Sequence, residues 1–274
     1  MAIKDILVHV DNTEACAQRL DIAMRLAQRH QAHLTAVFAR AFGNLPNLGS
    51  GHAREIDKAR GEAQERFESR ARSEGLNAEW RSAECGSSAD RVTDAVLVHA
   101  RHADLAVVGQ FDRANSDGSI PDDLAERLVL ESGRPVLVVP YAGSFDSLGE
   151  RALIAWNGSR ESARAVNDAI PLLQAAKRVS VLALNPEEGR RIHGDMPSAD
   201  ICLHLARHGV RAEAQHLVAH DIDAGDMLLS CAADDSADLL VMGAYGQPRF
   251  RELVLGGATR TVLRQMTLPV LMSH

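Results

Sequence analysis

Residues 243–259 hold residue types at a spacing that could bind phosphate. Two glycines three apart are followed, after nine residues, by an adjacent pair: Gly243, Gly246, Gly256 and Gly257. Glycine lets the backbone approach a ligand closely, and a helix that begins at such a pair presents free N–H groups with a favourable dipole. Arg249 and Arg251 lie between the pairs and could reach phosphate oxygens, and the Thr259 hydroxyl follows. Glycines that only shape a strand–helix turn would give the same spacing, so both interpretations stay open.

The usual catalytic templates are missing from the sequence. It contains no G-x4-G-K-[ST], G-x-G-x-x-G, H-E-x-x-H or G-x-S-x-G motif. Ser159, Asn157 and Asp168 form no recognisable nucleophile–base pair, and no residue offers itself as the base for ATP hydrolysis. The sequence therefore favours a binding protein over an enzyme, and slow ATP hydrolysis ranks last among the alternatives.

Two groups of side chains could in principle bind a metal. His204 and His208 are four apart on a helix predicted near residues 198–208, which suits two ligands on one face. The other group is an acidic cluster that could hold a divalent cation: Asp112, Asp117, Asp122 and Asp123. A solvated helix face and an exposed polar loop explain these groups more simply. No metal site is predicted.

Composition argues against several classes of partner. Lys and Arg total 30 against 37 Asp and Glu, the net charge is −7, and aromatic residues make up 4%. A nucleic acid partner is not expected, because clustered cations and stacking rings are both scarce. The four cysteines form no Cys-x-x-Cys pair, the apolar N-terminal stretch is too short for a signal peptide, and no apolar run approaches the ~20 residues of a membrane span. We expect a cytoplasmic protein with no membrane partner.

The chain carries an internal repeat. DLAVVG at 104–109 matches DLLVMG at 238–243, an offset of 134 residues, and IKDILVHVDN at 3–12 matches GERALIAWNG at 149–158, an offset of 146. A small polar stretch, residues 141–150, separates the copies. We therefore expect two domains of one kind, residues 1–140 and 150–274.

Each copy alternates short aliphatic runs with helical patterns, which is typical of a parallel sheet covered on both faces. In the first copy the strands are predicted near 3–10, 33–38, 77–83, 104–109 and 135–139, and the helices near 14–30, 53–74, 88–101 and 122–132. The predicted fold class is α/β, with two tandem doubly wound five-stranded sheets of Rossmann-like or flavodoxin-like type. Ligands of such sheets bind at the strand ends where the order reverses, here those of the first and fourth strands.

The pattern G-x2-G-x9-G between DLLVMG and LPVLM resembles the universal stress protein family. The openings ILVHVDNTEACAQRLDIAMRLA and ALIAWNGSRESARAVNDAI are similar to that family's first strand and helix. The resemblance covers nearly the whole chain, twice, as in the tandem form. It implies an ATP- or AMP-binding fold that can take Mg²⁺ with the nucleotide, pairing through the last strand, and a regulatory role in the stress response without a settled reaction.

The family's binding residues carry over only in part. The nucleotide-binding branch places an Asp near adenosine at the end of the first strand; Asp11 holds that position in the first copy, but Asn157 does in the second. The resemblance puts adenine near Ala155 and Leu184, and Gly257 stands where the family has a phosphate-contacting hydroxyl. The first copy places three carboxylates around the phosphate position: Asp112, Asp122 and Asp123. We expect at most one nucleotide, bound to the second copy with micromolar or weaker affinity.

Two further expectations concern partners. The apolar closing strands, residues 135–139 and 269–272, are predicted to be sheet edges, which invite pairing. We expect them to pair within the chain as an internal pseudo-dimer, and a homodimer is implied only by the family resemblance. The main alternative is a scaffold for protein partners of unknown identity, in which both nucleotide sites have decayed.

Overall fold

The computed structural model describes residues 2–41, 50–86, 88, 90–184, 198–218, 222–244 and 257–274. The chain divides into two compact units, Ala2–Ala142 and Gly143–His274. Each unit is a parallel sheet with helices in its crossovers, as the alternation of aliphatic runs and helical patterns predicts.

The first unit contains five strands and four helices among its described residues. In chain order they are β1 (Asp5–Val10), α1 (Ala15–His30), β2 (His33–Arg40), α2 (Ser50–Ser73), β3 (Ala78–Glu84), α3 (Asp90–Ala100), β4 (Leu105–Gly109), α4 (Leu124–Glu131) and β5 (Val136–Val139). The strand order is β3-β2-β1-β4-β5, with every described pair parallel. The order reverses between β1 and β4, which places the predicted ligand edge there.

The second unit repeats this order. Its described elements are β6 (Arg151–Trp156), α5 (Arg160–Leu173), β7 (Arg178–Leu184), α6 (Ala199–Arg207), β8 (Ala212–Leu217), α7 (Ala224–Asp234), β9 (Leu239–Gly243), α8 (Gly257–Gln265) and β10 (Val270–Ser273). The sheet runs β8-β7-β6-β9-β10, again parallel at every described pair. Within its own unit, each closing strand, β5 or β10, is the last strand of the sheet.

The first helix of each unit buries an apolar stripe against its sheet. On α1, Ala23, Met24 and Ala27 are buried, and on α5 the equivalent stripe of Val166 and Ala169 is buried as well. Ser159 is the N-cap of α5, and its side chain accepts a hydrogen bond from the Ser162 N–H, as expected of a good N-cap residue.

An aromatic cluster fills the outer end of the first unit's sheet. The Trp80 ring lies 6.0 Å from that of Phe38 and 5.7 Å from that of Phe67, between ring centroids. Phe67 lies on the buried face of α2 together with Ala63 and Ala71, at a spacing of four residues. This spacing gives α2 an apolar face against the sheet even though most of its residues are polar.

Candidate functional site

The carboxyl edge of the second unit's sheet brings together four of the predicted site residues. Ala155 on β6 pairs with Leu182 on β7 and with Met242 on β9. Asn157 follows β6, Leu184 ends β7 and Gly243 ends β9, so these residues share one edge with Ala155. Ala155 and Leu184 are half-buried and Asn157 is exposed. This edge contains the point where the strand order reverses, between β6 and β9.

The remaining predicted residues fall on α8 or outside the described residues. Gly257 opens α8 and is exposed, whereas Thr259 is buried on the same helix. Burial of Thr259 favours a packing role over contact with a ligand. Gly246, Arg249 and Gly256 lie outside the described residues, as does Arg251.

Gly243 is required by the close approach of α5. A Cβ at this position would lie 2.5 Å from the Glu161 carbonyl carbon and 2.9 Å from the Glu161 Cβ. Backbone cannot move away cheaply, so a larger residue would push α5 off the sheet. The first turn of α5 therefore lies directly against the end of β9.

Glu161, in this first turn, is a buried carboxylate. Burial opposes its ionisation, but hydrogen bonds from its own backbone N–H and from Ser159, together with the Arg160 guanidinium, hold its pKa below the usual range. The Arg160 Nη2 lies 3.0 Å from the Glu161 Oε1. The Glu161 backbone and Cβ thus lie beside Gly243, where the sequence predicts phosphate, and the Glu161 carboxylate is paired with Arg160.

A second carboxylate lies at the start of α8. Asp223 is the N-cap of α7, and its Oδ1 accepts a hydrogen bond from the Gly225 N–H at 2.8 Å. Its Oδ2 lies 3.5 Å from the position that a Cβ on Gly257 would take. A protein carboxylate therefore lies beside the first residue of α8, close to the predicted phosphate position.

Sequence reasoning missed Glu161 and Asp223. Each is readable as a helix-start residue, since Glu161 follows the N-cap Ser159 and Asp223 precedes the helical run AGDMLL. Their proximity to Gly243 and Gly257 depends on how helices and strands pack in three dimensions, which no local pattern specifies.

In the first unit the equivalent edge holds a buried ion pair. The Arg19 Nη2 donates to the Asp11 Oδ2 at 2.8 Å, and both side chains are about 5% exposed or less. The Arg19 Nε donates to the His9 carbonyl oxygen at 2.7 Å. Thr13 donates its N–H and its hydroxyl to the Asp11 Oδ1, at 2.8 Å and 2.5 Å. The carboxylate for which the family resemblance implies an adenosine contact is thus fully engaged within the protein.

Burial raises the pKa of the Asp11 carboxyl, but the Arg19 guanidinium, the neighbouring His9 and the two hydrogen bonds from Thr13 together outweigh burial and hold that pKa well below its usual range. The same guanidinium extends over the end of β4, where a Cβ on Gly109 would overlap the Arg19 Nη1. Arg19 therefore needs both the acid at position 11 and the glycine at position 109.

The two copies of the repeat differ at the positions of this ion pair. At the offset of 146 residues, Asp11 corresponds to Asn157 and Arg19 to Ala165. Both charges are absent from the second unit, and Ala165 is packed in the core. The sequence contained this signal, because Arg19 lies four residues before Ala23, next to the apolar stripe of the first helix.

A cavity of about 600 Å³ lies at the carboxyl ends of β1 and β4 in the first unit. Of the three aspartates expected around the phosphate position, Asp112 and Asp122 line it and Asp123 does not. The Asn115 side-chain amide and the backbone N–H groups of Ala114 and Asn115 lower the pKa of Asp112. Burial raises the pKa of Asp123.

The histidine pair on α6 has neighbours but no metal-binding set. The rings of His204 and His208 lie 4.7 Å apart between centroids, and the His204 Nε2 contacts the Asn167 Oδ1 at 3.2 Å. Within the described ranges, no group of three or more His, Cys, Asp or Glu side chains could hold a metal ion.

None of the described helices combines the length and the apolar character that crossing a bilayer requires.

Comparisons with known proteins agree on one family. The sequence model described as "Universal stress protein family" matches residues 2–140 and again residues 150–274. The chain is 30% identical over 155 residues to the universal stress protein Slr1230 of Synechocystis. That alignment covers 53% of this chain and 49% of the relative, so the chain spans about half the length of the curated relative it matches.

Solved structures share the fold over almost the whole chain. A universal stress protein from Archaeoglobus fulgidus superposes with a TM-score of 0.73 at 16% identity, covering 98% of this chain and 95% of its own. A protein of unknown function from Pseudomonas aeruginosa PAO1 superposes with a TM-score of 0.63 at 18% identity, covering 99% and 92%. With a family match over both units, the chain belongs to the universal stress proteins, a family of stress-response proteins.

Proposed function

We propose that the second unit binds an adenine nucleotide, ATP or AMP, together with Mg²⁺, and that the chain is a cytoplasmic regulator in the stress response rather than an enzyme. The observation that carries the proposal is the contrast between the two carboxyl edges. In the first unit Asp11 and Arg19 bind each other at this edge. In the second unit Asn157 is exposed and Ala165 contributes no charge.

The exposed edge offers the contacts that adenosine needs. Ala155 and Leu184 are half-buried apolar side chains, suited to cover one face of a purine. The Asn157 Oδ1 accepts a hydrogen bond from the Ser159 N–H at 3.1 Å, so its amide N–H groups point elsewhere and could donate to a ribose or a base.

Mg²⁺ enters the proposal because of Glu161 and Asp223. A phosphate near Gly243 and Gly257 would meet these carboxylates, and like charges close together repel. A divalent cation between carboxylate and phosphate oxygens reverses that interaction, and Mg²⁺ is ordinarily held by one or two carboxylates plus phosphates. ATP binding should therefore depend on Mg²⁺ more strongly than AMP binding does.

The test is calorimetric titration of nucleotide-free protein with ATP and AMP, with Mg²⁺ and with EDTA. We expect ATP to bind at most once per chain, in the micromolar range or weaker, and only with Mg²⁺. Asp223→Asn keeps a good N-cap and should strengthen Mg²⁺-free ATP binding by about tenfold, the worth of one unfavourable charge contact. Asp200→Asn, on the exposed start of α6, is the matched control and should have no effect.

Gly257→Ser tests the missing hydroxyl. Because the new Cβ would lie 3.5 Å from the Asp223 Oδ2, the hydroxyl should donate to that carboxylate rather than to phosphate. We expect a gain in affinity only in the double variant with Asp223→Asn, where it should be a few-fold to ~100-fold, the range for one hydrogen bond to a charged oxygen. Binding unaffected by these changes, or mapped to the first unit, would overturn the assignment.

The scaffold alternative has an observation in its favour, since both described glycines of the predicted phosphate site are already occupied by protein: the Asp223 carboxylate lies at Gly257, and the first turn of α5 lies against Gly243. It predicts no bound nucleotide in the purified protein, by mass spectrometry, and none after incubation with ATP and Mg²⁺. Pairing through the closing strands, and a homodimer, are proposals for the same protein under either function.

A further inference from the structure

Arg160 is a cation at the carboxyl edge of the second unit that the predicted site does not include. It is the first residue of α5, the helix whose first turn lies against the end of β9. The next residue is Glu161, whose carbonyl carbon lies 2.5 Å from the position that a Cβ on Gly243 would take. The Arg160 side chain therefore starts one residue away from the contact with Gly243, where the sequence predicts phosphate.

The Arg160 guanidinium is held at this edge and keeps donors to spare. Its Nε donates to the Glu161 Oε1 at 3.1 Å, and its Nη2 lies 3.0 Å from the same oxygen. These contacts use two of the five N–H groups that a guanidinium carries. The side chain is 77% exposed, which leaves the other three N–H groups open to a ligand. Phosphate oxygens suit such a set of donors, because they can accept two parallel hydrogen bonds from one guanidinium.

The stability of α5 does not account for an arginine at this position. A positive charge in the first turn of a helix opposes the helix dipole. The ion pair with Glu161 returns little, because an exposed side chain loses entropy on pairing and water screens its charge. In the first unit the equivalent position holds Glu14, which has the sign that the dipole favours and is the N-cap of α1.

Comparison of the two units places Arg160 at the ligand edge. The strands β1 and β6 have the same bounds at the offset of 146 residues, so Glu14 and Arg160 are equivalent. Glu14 lines the cavity at the carboxyl ends of β1 and β4. The charge at this edge position is therefore reversed between the units.

The other carboxylates that line the first unit's cavity are also missing from the second copy. They are Asp11, Asp112, Asp117 and Asp122, and their equivalents in the sequence are Asn157, Gly246, Arg251 and Gly256, the last three outside the described residues. None of these equivalents is a carboxylate. The second copy has thus exchanged residues that repel an anion for residues that do not.

We propose that Arg160 binds the phosphate of the nucleotide and makes the second unit prefer a nucleotide over a free nucleoside. This inference rests on the proposed function, since it names a specificity-determining residue of the same site. The guanidinium keeps its contact with Glu161 and donates its remaining N–H groups to phosphate oxygens. It thereby supplies a side-chain contact at a site where Gly257 offers no hydroxyl.

The experiment is calorimetric titration of the nucleotide-free full chain with ATP, AMP and adenosine, all with Mg²⁺. Arg160→Gln should weaken the binding of ATP and of AMP at least about tenfold, the worth of one hydrogen bond to a charged group. It should change adenosine binding less than about twofold, because adenosine carries no phosphate. The matched control is Arg164→Gln, one turn later on the exposed side of α5. It removes the same charge and should change each affinity less than about twofold.

A second background separates direct contact from an effect through Glu161. Loss of Arg160 leaves the Glu161 carboxylate without its cation, and that charge alone would repel phosphate. In a Glu161→Gln background this repulsion is absent. A direct contact predicts that Arg160→Gln still weakens ATP binding about tenfold there, whereas an effect through Glu161 predicts no loss.

The outcomes distinguish this inference from the proposed function. ATP binding that Arg160→Gln leaves unchanged, an equal loss in Arg164→Gln, or a loss that disappears in the Glu161→Gln background overturns the role of Arg160 and leaves nucleotide binding in place. An equal loss for adenosine and ATP also overturns it, because the effect is then not on phosphate. Failure of the native chain to bind any of the three ligands overturns the proposed function, and this inference with it.

Discussion

Removal of the Arg19 guanidinium should destabilise the first unit by about 3–5 kcal/mol, the usual cost of leaving one member of a buried ion pair without its partner. Asp11 is about 5% exposed and receives a 2.8 Å hydrogen bond from Arg19. In Arg19→Ala the carboxylate keeps its two bonds from Thr13, but its charge stays buried without a cation. The His9 carbonyl oxygen also loses its donor.

The repeat supplies the compensating change. Asp11→Asn/Arg19→Ala copies Asn157 and Ala165 of the second unit, so the buried carboxylate becomes a neutral amide. This double variant should recover at least about 2 kcal/mol relative to Arg19→Ala, because a neutral polar group costs far less to bury than a charge. It should remain less stable than the native chain, because the volume of the arginine side chain is not replaced.

The dependence on pH separates charge from packing. In the native chain the folded-state pKa of Asp11 is depressed, so its stabilisation is present above the unfolded-state value and is lost only as pH falls through the lower folded value. Without Arg19, burial raises that pKa instead, so the folded state binds a proton that the unfolded state has already released. The difference in stability between Arg19→Ala and the native chain should therefore grow from pH 4 to pH 7.

The assay uses Trp80 as the reporter of the first unit. Trp156→Phe removes the other tryptophan, which lies in the second unit, and leaves Trp80 packed on Phe38 and Phe67. Urea unfolding followed by fluorescence then gives the free energy of unfolding of this unit. Arg54→Ala, exposed on α2, is the matched loss of one positive charge and should stay within about 0.5 kcal/mol of the native chain. A loss below about 1 kcal/mol for Arg19→Ala, or a double variant no more stable than the single one, would refute the reasoning.

Two further predictions follow from buried groups. Gly243→Ala should destabilise the second unit by about 1–3 kcal/mol, as overpacking does, because the new Cβ would meet the backbone of α5. Urea unfolding followed by Trp156 fluorescence in a Trp80→Phe background measures this loss. An unchanged free energy of unfolding would show that α5 can move away from the sheet without cost. His9 faces Asp11 and Arg19, and its pKa is lowered from 6.5 to about 4. As pH falls, the unfolded state therefore takes up this proton before the folded state does. The free energy of unfolding of the first unit should fall by about 3 kcal/mol between pH 6.5 and pH 4. His9→Gln should remove this slope in urea titrations at pH 4.5 and 7, and a slope that persists contradicts the assignment.

The sequence predicts the elements well because their signals are local and occur twice. The aliphatic runs around Leu7 and Val107 and the stripe of Ala23 and Ala27 need only the periods of strands and helices, and each has a counterpart at a fixed offset. The structure places β1 and β4 side by side, which confirms the predicted point of strand reversal.

The site was less predictable because its decisive contacts join distant segments. Asp223 reaches the start of α8 across more than thirty residues, and Glu161 meets Gly243 only because α5 crosses the end of β9. Arg19 is the exception, since a charged residue next to the apolar stripe of a helix demands a partner, and Asp11 lies eight residues before it in the chain. Comparison of the two copies at positions 11 and 19 would have found the pair.

The Asp11–Arg19 pair has a consequence for how each half responds to its surroundings. A ligand stabilises a folded protein according to its free concentration, by about 2.7 kcal/mol at one hundred times its dissociation constant. The Arg19 guanidinium is tied to the chain, so the Asp11 carboxylate is saturated at every ligand concentration. The Asp11 side chain is therefore insensitive to the concentration of any competing cation, whereas a ligand bound at Asn157, which has no such tethered cation, would make the stability of the second unit vary with the concentration of that ligand.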